Sequence, residues 1–421
     1  MHTRPPLWLF ILAAVLFTTA TDEFIIAGVL PSIAADLGVG VGAAGQLVTA
    51  FAVAYAVGAP TVAVAADRLP RRTVMVGGLA LFAAANLAAA AAPGFWALAA
   101  ARVAAALCAA AVTGAAFATA AGAAPEGRQG RYLATTTAGM TAALIGGVPL
   151  GAWLAGAADW RATFVFVAVV AAGAAAGLRV SAPKVAGSAP APLRERLRPL
   201  AAPAVLRLVG ATFLAASGGL MFYSYLSAFA AETASGAYAV LTGLLFTVGV
   251  AGMAGAVLSG RWADAFGPQR ALAGVLGGHA VALALLAVFA WADWGGAWLL
   301  FPLVAVWGLY AWALTPPMQG SVITAAGPEH GMTAMSMNIA ALYLGTGAAG
   351  ALGGAVVEAA GAPWIPAASA VLMLGSFALA LRPAVAAART ATAHEAKANE
   401  GDGATGVECA TAAPPGTPCA P

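Results

Sequence analysis

Apolar residues in this chain come in long blocks rather than in alternation. Stretches of 18 or more largely hydrophobic positions recur from one end to the other, parted by short clusters of charge, proline and glycine. A helix of about 20 such residues crosses about 30 Å of hydrocarbon. The period-2 pattern of a membrane-barrel strand is missing, so the blocks predict membrane helices. Twelve spans are predicted, over residues 7–30, 43–66, 74–92, 96–122, 133–156 and 162–179, then 205–229, 239–260, 271–291, 298–321, 332–356 and 363–381. Many carry Pro or Gly, which a membrane helix tolerates where its neighbours re-satisfy the freed backbone groups. Small residues four apart, Gly139 with Ala143 and Gly350 with Gly354, mark faces where helices can approach closely. The first block follows Arg4 but is too long for a secretory leader and carries Asp22 and Glu23, so it is read as a retained span.

The polar segments divide the chain. Residues 180–204 hold five prolines and a basic cluster at Arg194, Arg196 and Arg198, and form a linker between two six-span halves, 1–179 and 205–382. Residues 383–421, rich in Ala, Thr, Pro and Gly, are expected to be a disordered tail. The halves repeat: Asp67, after the second span, has its counterpart in Asp264, 197 positions on, close to the 198 separating the half-starts at 7 and 205. An even number of spans per half makes the repeats parallel, which places a substrate site near the midplane between them. The expected fold class is therefore all-α: a polytopic membrane protein whose twelve transmembrane helices form two pseudo-symmetric six-helix bundles.

Composition agrees, since 62% of the 421 residues are hydrophobic and only 8% are charged, too few for the surface of a soluble domain. The net charge of +3 matters less than where the charges fall. With a cytoplasmic N-terminus, that face receives nearly all the arginines and both lysines, and the opposite face receives Arg161 alone. The positive-inside rule then puts both termini in the cytoplasm of a bacterial inner-membrane protein. The three cysteines, Cys108, Cys409 and Cys419, show no disulfide or metal spacing. No phosphate-binding loop, GxSxG or HExxH pattern is present, so neither ATP drive nor bond-breaking catalysis is expected.

These features resemble the major facilitator superfamily, and within it the twelve-span drug:proton antiporters related to sugar-efflux and chloramphenicol-export proteins. The resemblance runs over about residues 7–382. Asp67, Arg68, Arg71 and Arg72 match the superfamily loop motif GxLaDRxGRR, with Ala63 and Pro70 replacing its glycines; the second copy keeps Gly260, Asp264 and Gly267 but not the paired arginines. The segment Thr21–Leu30 with Pro31 and Asp36 looks like the opening signature of the exporters. Gly147, Pro149 and Gly151, leading to Asp159, Trp160 and Arg161, look like their antiporter segment. The fourth-span motif RxxQG survives only as Arg102. The resemblance implies that Asp67 and its arginines form an inter-helix latch, beside their plain role in topology. It implies that Gly147, Pro149 and Gly151 form a bend that rocks between states, against the alternative of close helix packing.

Three charges lie inside predicted spans: Asp22, Glu23 and Arg102. Each costs about 2.5–3.5 kcal/mol at a helix centre, so each needs a partner, a cavity or a task. From the helical rise Glu23 and Arg102 lie at similar depth, and a contact between them is expected. Glu23, with Asp22 as second candidate, is read as the binding site of a coupled proton, against the alternative of a fixed ion pair. Tyr223, Tyr225, Tyr310, Trp312, Gln319, Asn338 and Tyr343 are candidate lining of a central cavity, while His279 is expected to be a hydrogen-bonded structural histidine. The function implied is proton-coupled efflux of a small amphipathic drug by alternating access, or alternatively export of a polar metabolite such as a sugar or nucleoside. No cofactor or metal is expected beyond the proton. The expected partners are the substrate and the bilayer, with no nucleic acid, and a monomer is expected.

Overall fold

The computed structural model describes residues 6–67, 69–126, 128–183, 185, 202–233, 238–292 and 297–381. Among these residues the chain is helical, with twelve helices long and apolar enough to cross a membrane. In the first half, span 1 is Leu7–Phe24 continued by Ile26–Asp36, span 2 is Val41–Asp67, span 3 Arg71–Ala90 and span 4 Phe95–Gly122. Span 5 is Gln129–Ala142, a π-helical turn Ala143–Gly147, then Val148–Ala157; span 6 is Trp160–Ser181. In the second half, span 7 is Pro203–Ser224 with Leu226–Thr233, span 8 Tyr238–Phe266 and span 9 Pro268–Trp291. Spans 10 and 11 are Trp298–Gly327 and Thr333–Ala360, and span 12 is Ile365–Ala380. The predicted linker and tail fall largely outside the described residues.

Several irregularities follow from identifiable residues. Gly267, at φ 82°, makes the tight turn between spans 8 and 9, a conformation that glycine adopts without strain. Pro149 has no N–H to continue the ladder, and the π-helical turn Ala143–Gly147 immediately before it accommodates that gap. Span 1 is interrupted at Ile25 and span 7 at Tyr225, equivalent points of the two repeats. Span 1 does not end at Pro31 as its sequence suggests: the helix carries the proline internally and runs on to Asp36.

Helix contacts are close because the facing residues are small. A Cβ on Gly139 would collide with the backbone of Ala13, and one on Gly147 or Gly151 with Thr21 or Ile25, so span 5 lies directly against span 1. Gly350 and Gly354 bring span 11 onto span 2 in the same way: their added Cβ atoms would stand 2.9 Å from the Gly45 carbonyl and 2.7 Å from the Gly42 carbonyl. Both small-residue pairs picked out in the sequence therefore lie at close helix contacts.

The membrane level is marked by tryptophans. Trp96, Trp153, Trp291, Trp298 and Trp364 are all exposed and all stand at or near span ends on the face opposite the start of span 1 and the end of span 12, as an interfacial belt requires. On that face Arg161 bonds Asp36 at 2.7 Å, stacks over the Trp160 ring at 4.3 Å, and so staples the end of span 1 to the start of span 6. Hydrogen bonds from Arg161 and then Trp160 hold the Asp36 carboxyl below its ordinary range. A depressed pKa stabilises the fold above the unfolded value of about 4 and ceases to do so as pH falls through the folded value. Both side chains are a third to a half exposed, so the expected effect is small. Arg161→Gln should lower the melting temperature slightly at neutral pH, and the difference from wild type should fade as the pH is taken below the ordinary carboxylate range.

Two apolar clusters form the core. One consists of buried first-half side chains from spans 1 to 4 and 6, such as Leu16, Phe82, Val112 and Ala171, with a single buried second-half member, Tyr343. The other joins the belt-side ends of the first-half spans, including Leu30, Leu47, Leu98 and Phe164, to the core of the second half. The two halves are thus packed together at the belt face. Thr49 donates to the Gly347 carbonyl at 2.8 Å, tying span 2 to span 11 across the interface. Tyr225 in span 7 donates to Gly350 at 2.7 Å, and its hydroxyl fills the space beside Gly45.

Candidate functional site

Span 1 brings the acidic pair to the centre of the molecule, immediately before the interruption at Ile25. The two carboxylates, neighbours in sequence, point to different surroundings because successive residues of a helix are turned about 100° apart. Asp22 is completely buried and accepts a hydrogen bond from Arg102 Nη1 at 2.7 Å, with Arg102 itself 1% exposed. The guanidinium lies 4.3 Å from the centroid of Phe51 and 5.8 Å from that of Phe164. The direct partner of Arg102 is therefore Asp22, rather than Glu23 as expected from depth. The pair is incompletely satisfied: Asp22 Oδ2 and Arg102 Nε and Nη2 have no hydrogen-bond partner among the described residues.

Glu23 faces the other way, into a small cavity between the halves. The lining includes Phe24, Ile26 and Val48 from the first half, with Tyr223, Ser224 and Thr346 from the second. The cavity measures about 20 Å³, room for about one water molecule. Glu23 Oε2 accepts a hydrogen bond from the Tyr343 hydroxyl at 3.2 Å. Beside the cavity an aromatic group spans both halves: Phe24 meets Tyr223 edge-on at 5.6 Å, and Trp312 meets both Tyr223 and Phe24 at 5.5 and 6.2 Å. Such edge-to-face contacts hold rings in defined positions and give an apolar wall with polarizable faces.

The other sequence-predicted residues are distributed as follows. Tyr225 donates to Gly350 within the second half, and its hydroxyl reaches the first half beside Gly45. Tyr310 packs against Gly278, and Gln319 is half-buried in span 10. Asn338 accepts from Thr212 at 2.6 Å, a bond between spans 7 and 11 within the second half. His279 is not hydrogen-bonded as expected: both ring nitrogens lack a partner among the described residues. The ring sits against Gly219 and edge-on to Trp307 at 6.2 Å, because the missing side chain at 219 leaves room for it in an apolar setting. In the loop motif, Arg71 is buried and its N–H bonds the Val185 carbonyl at 3.0 Å, Arg72 is half-buried and Asp264 is exposed. The Asp67 side chain and Arg68 lie outside the described residues. The sequence offered no signal for Phe24, Val48, Ser224 and Thr346 as cavity lining, since apolar and hydroxyl side chains are common throughout the spans.

Two six-helix repeats, an interior acid and a cavity between the halves define a membrane transporter rather than an enzyme. The Major Facilitator Superfamily family model matches residues 12–338, and the chain belongs to that family. It is 31% identical over 350 residues to the uncharacterized MFS-type transporter YbcL of Bacillus subtilis, covering 83% of this chain and 88% of that protein. It is 38% identical over 269 residues to a chloramphenicol resistance protein of Streptomyces lividans, covering 62% of this chain and 67% of that one. Among solved structures it is similar to a bacterial homolog of the human lysosomal transporter Spinster in an inward-facing and occupied conformation. The TM-score is 0.71 at 16% identity, over 88% of this chain and 95% of that one.

Proposed function

We propose that the protein is a proton-coupled exporter of a small amphipathic compound of the drug or antibiotic class, with Glu23 as the proton-binding group. The observation that carries the reading is the separation of the two acids. Arg102 forms its ion pair with Asp22, whereas the hydrogen bond recorded for Glu23 among the described residues comes from a neutral hydroxyl, and Glu23 borders the cavity between the halves. A carboxyl in that position can take up and release a proton without breaking a buried ion pair. Asp22 could not, because its protonation would strand the Arg102 charge.

The lining's mixture of aromatic faces, hydroxyls and one acid is the chemistry an amphipathic ligand needs, and the halves must part to widen the site beyond its room for about one water. The likeness to the Streptomyces lividans protein supports an antibiotic as cargo. The site lies in an inner membrane with both termini cytoplasmic, a reading supported by the basic residues at the termini's face and the tryptophan belt at the other. The halves are packed together at the belt face, the arrangement that an alternating-access cycle pairs with entry from the cytoplasm. Energetically one proton suffices: a charge crossing 100 mV supplies about 2.3 kcal/mol, and about 1.4 kcal/mol maintains a tenfold gradient.

Everted vesicles loaded with a drug panel, with and without an uncoupler, test both parts. Glu23→Gln is expected to lose uphill, uncoupler-sensitive transport by at least about tenfold while retaining energy-independent exchange. Full proton-driven transport by Glu23→Gln would refute the proton site, and failure of every drug alongside uphill transport of a sugar or nucleoside would refute the cargo class.

A further inference from the structure

We infer that Tyr343 is the residue through which the second half responds to the charge on Glu23, holding the belt face closed while that carboxylate is ionised. The inference rests on Glu23 as the proton site and goes beyond it by assigning the element that links its charge to conformation. It also gives Tyr343 a role other than cavity lining.

Three observations carry it. Tyr343 belongs to span 11, yet among the described residues it is the one buried second-half side chain in the apolar cluster of the first half, with its neighbour Leu342 packed against the same cluster, so its ring is inserted across the interface. It is held there by stacking on Tyr55 of span 2, with centroids 3.9 Å apart and planes 18° from parallel. One helical turn away, Thr49 donates to Gly347 and fixes the same stretch of span 11 against span 2. From that position the Tyr343 hydroxyl reaches Glu23 Oε2 at 3.2 Å.

The titratable and charged groups around Glu23 are Asp22 on its own span, Arg102 on span 4, Tyr55 on span 2, Tyr343 on span 11 and Tyr223 on span 7. Arg102 and Asp22 form a pair within the first half that moves as one body with Glu23, so it cannot report on the approach of the other half. Tyr223 faces the cavity and makes no hydrogen bond to Glu23 that the structure records. Tyr343 both comes from the second half and donates to the carboxylate.

A hydrogen bond to a carboxylate is about twice as strong as one between neutral groups. The Tyr343–Glu23 bond exists only while the halves are packed at the belt face, so ionisation of Glu23 favours that conformation and protonation loosens it. In an antiporter this device has a use: the empty, ionised form is held closed at the belt face until a ligand entering beside Glu23 displaces the hydroxyl, which prevents switching without cargo.

The test uses the full chain in lipid nanodiscs, with spin labels at Ala35→Cys and Ala359→Cys, exposed positions of the first and second halves on the belt face. Cys108, Cys409 and Cys419 are replaced by Ser. With the acids otherwise intact, the population open at the belt face is expected to fall at least fivefold between pH 5 and pH 9. In Tyr343→Phe, which keeps the stacked ring, and in Tyr343→Met as a second variant, that population should change less than twofold over the same range. Glu23→Gln should behave likewise. If Glu23→Gln abolishes the pH response and both Tyr343 variants keep it, the role of Tyr343 is refuted while the Glu23 site stands. If Glu23→Gln keeps it, the Glu23 site fails and the inference with it. A pH-independent population with the acids and Tyr343 intact also overturns the inference.

Discussion

Arg102→Gln is expected to destabilise the protein by about 3–5 kcal/mol, the cost of leaving one member of a buried ion pair without its partner. Asp22 has no access to solvent, and its only hydrogen bond among the described residues comes from Arg102. With the guanidinium gone, the carboxylate must take up a proton or the surrounding helices must part. Span 4 also loses the contacts of the guanidinium with Phe51 and Phe164, which Gln is too short to replace. Asp22→Asn together with Arg102→Gln removes both charges, and this double variant should recover most of the loss. Thermal unfolding of the detergent-purified variants measures it. A single variant as stable as wild type, or a double variant no better than the single, would refute the account. The double variant also separates the two candidate acids. With Glu23 as proton site it still performs uphill transport, whereas with Asp22 as proton site it folds and is uncoupled.

That separation lay beyond the sequence for a geometrical reason. Rise along a helix gives depth to within a turn, and it correctly set the span 1 acids level with Arg102. Neighbouring residues differ little in depth and greatly in direction, so the choice between Asp22 and Glu23 depends on where span 4 stands around span 1. Only packing decides this. The same limit applies to Tyr343, whose place inside the first-half cluster is a property of the interface between halves. The interruptions at Ile25 and Tyr225 carry no Gly or Pro of their own, and the proline that is present, Pro31, stays within its helix.

What was legible had a local cause. Apolar blocks gave the twelve spans because membrane thickness sets their length, and the helix ends differ mostly by a few residues where polar loops begin. The glycine pairs gave close contacts because a missing side chain constrains distance whichever partner stands opposite. His279 shows the converse. A buried imidazole suggested a hydrogen-bond partner, but the pocket left by Gly219 and the Trp307 face accommodate the ring without one.

The belt-face interface supplies the second large effect. Gly350→Val is expected to reduce transport at least about tenfold while leaving each half folded. A Cβ at 350 would stand 2.6 Å from Thr49 Oγ1, 2.9 Å from the Gly45 carbonyl and 3.0 Å from the Thr49 amide. The hydroxyl could rotate away, but the two backbone atoms could not, so span 11 must move off span 2. The shift would also strain the Thr49–Gly347 hydrogen bond across this face and the Tyr225–Gly350 bond that sets the Tyr225 hydroxyl against Gly45. Apart from the Tyr225–Gly350 bond, which lies within the second half, the contacts that hold each half together do not involve this position, so the variant should be membrane-inserted and monodisperse but held open at the belt face. Alternating access needs both conformations, and a protein denied one of them cannot complete its cycle. Labels at Ala35 and Ala359 should report the open distance at every pH. Gly274→Ala, where an added Cβ meets nothing within 4 Å, is the control and should transport normally. Wild-type transport by Gly350→Val would show that closure of spans 2 and 11 is not part of the cycle, and the alternating-access reading of this interface would be withdrawn.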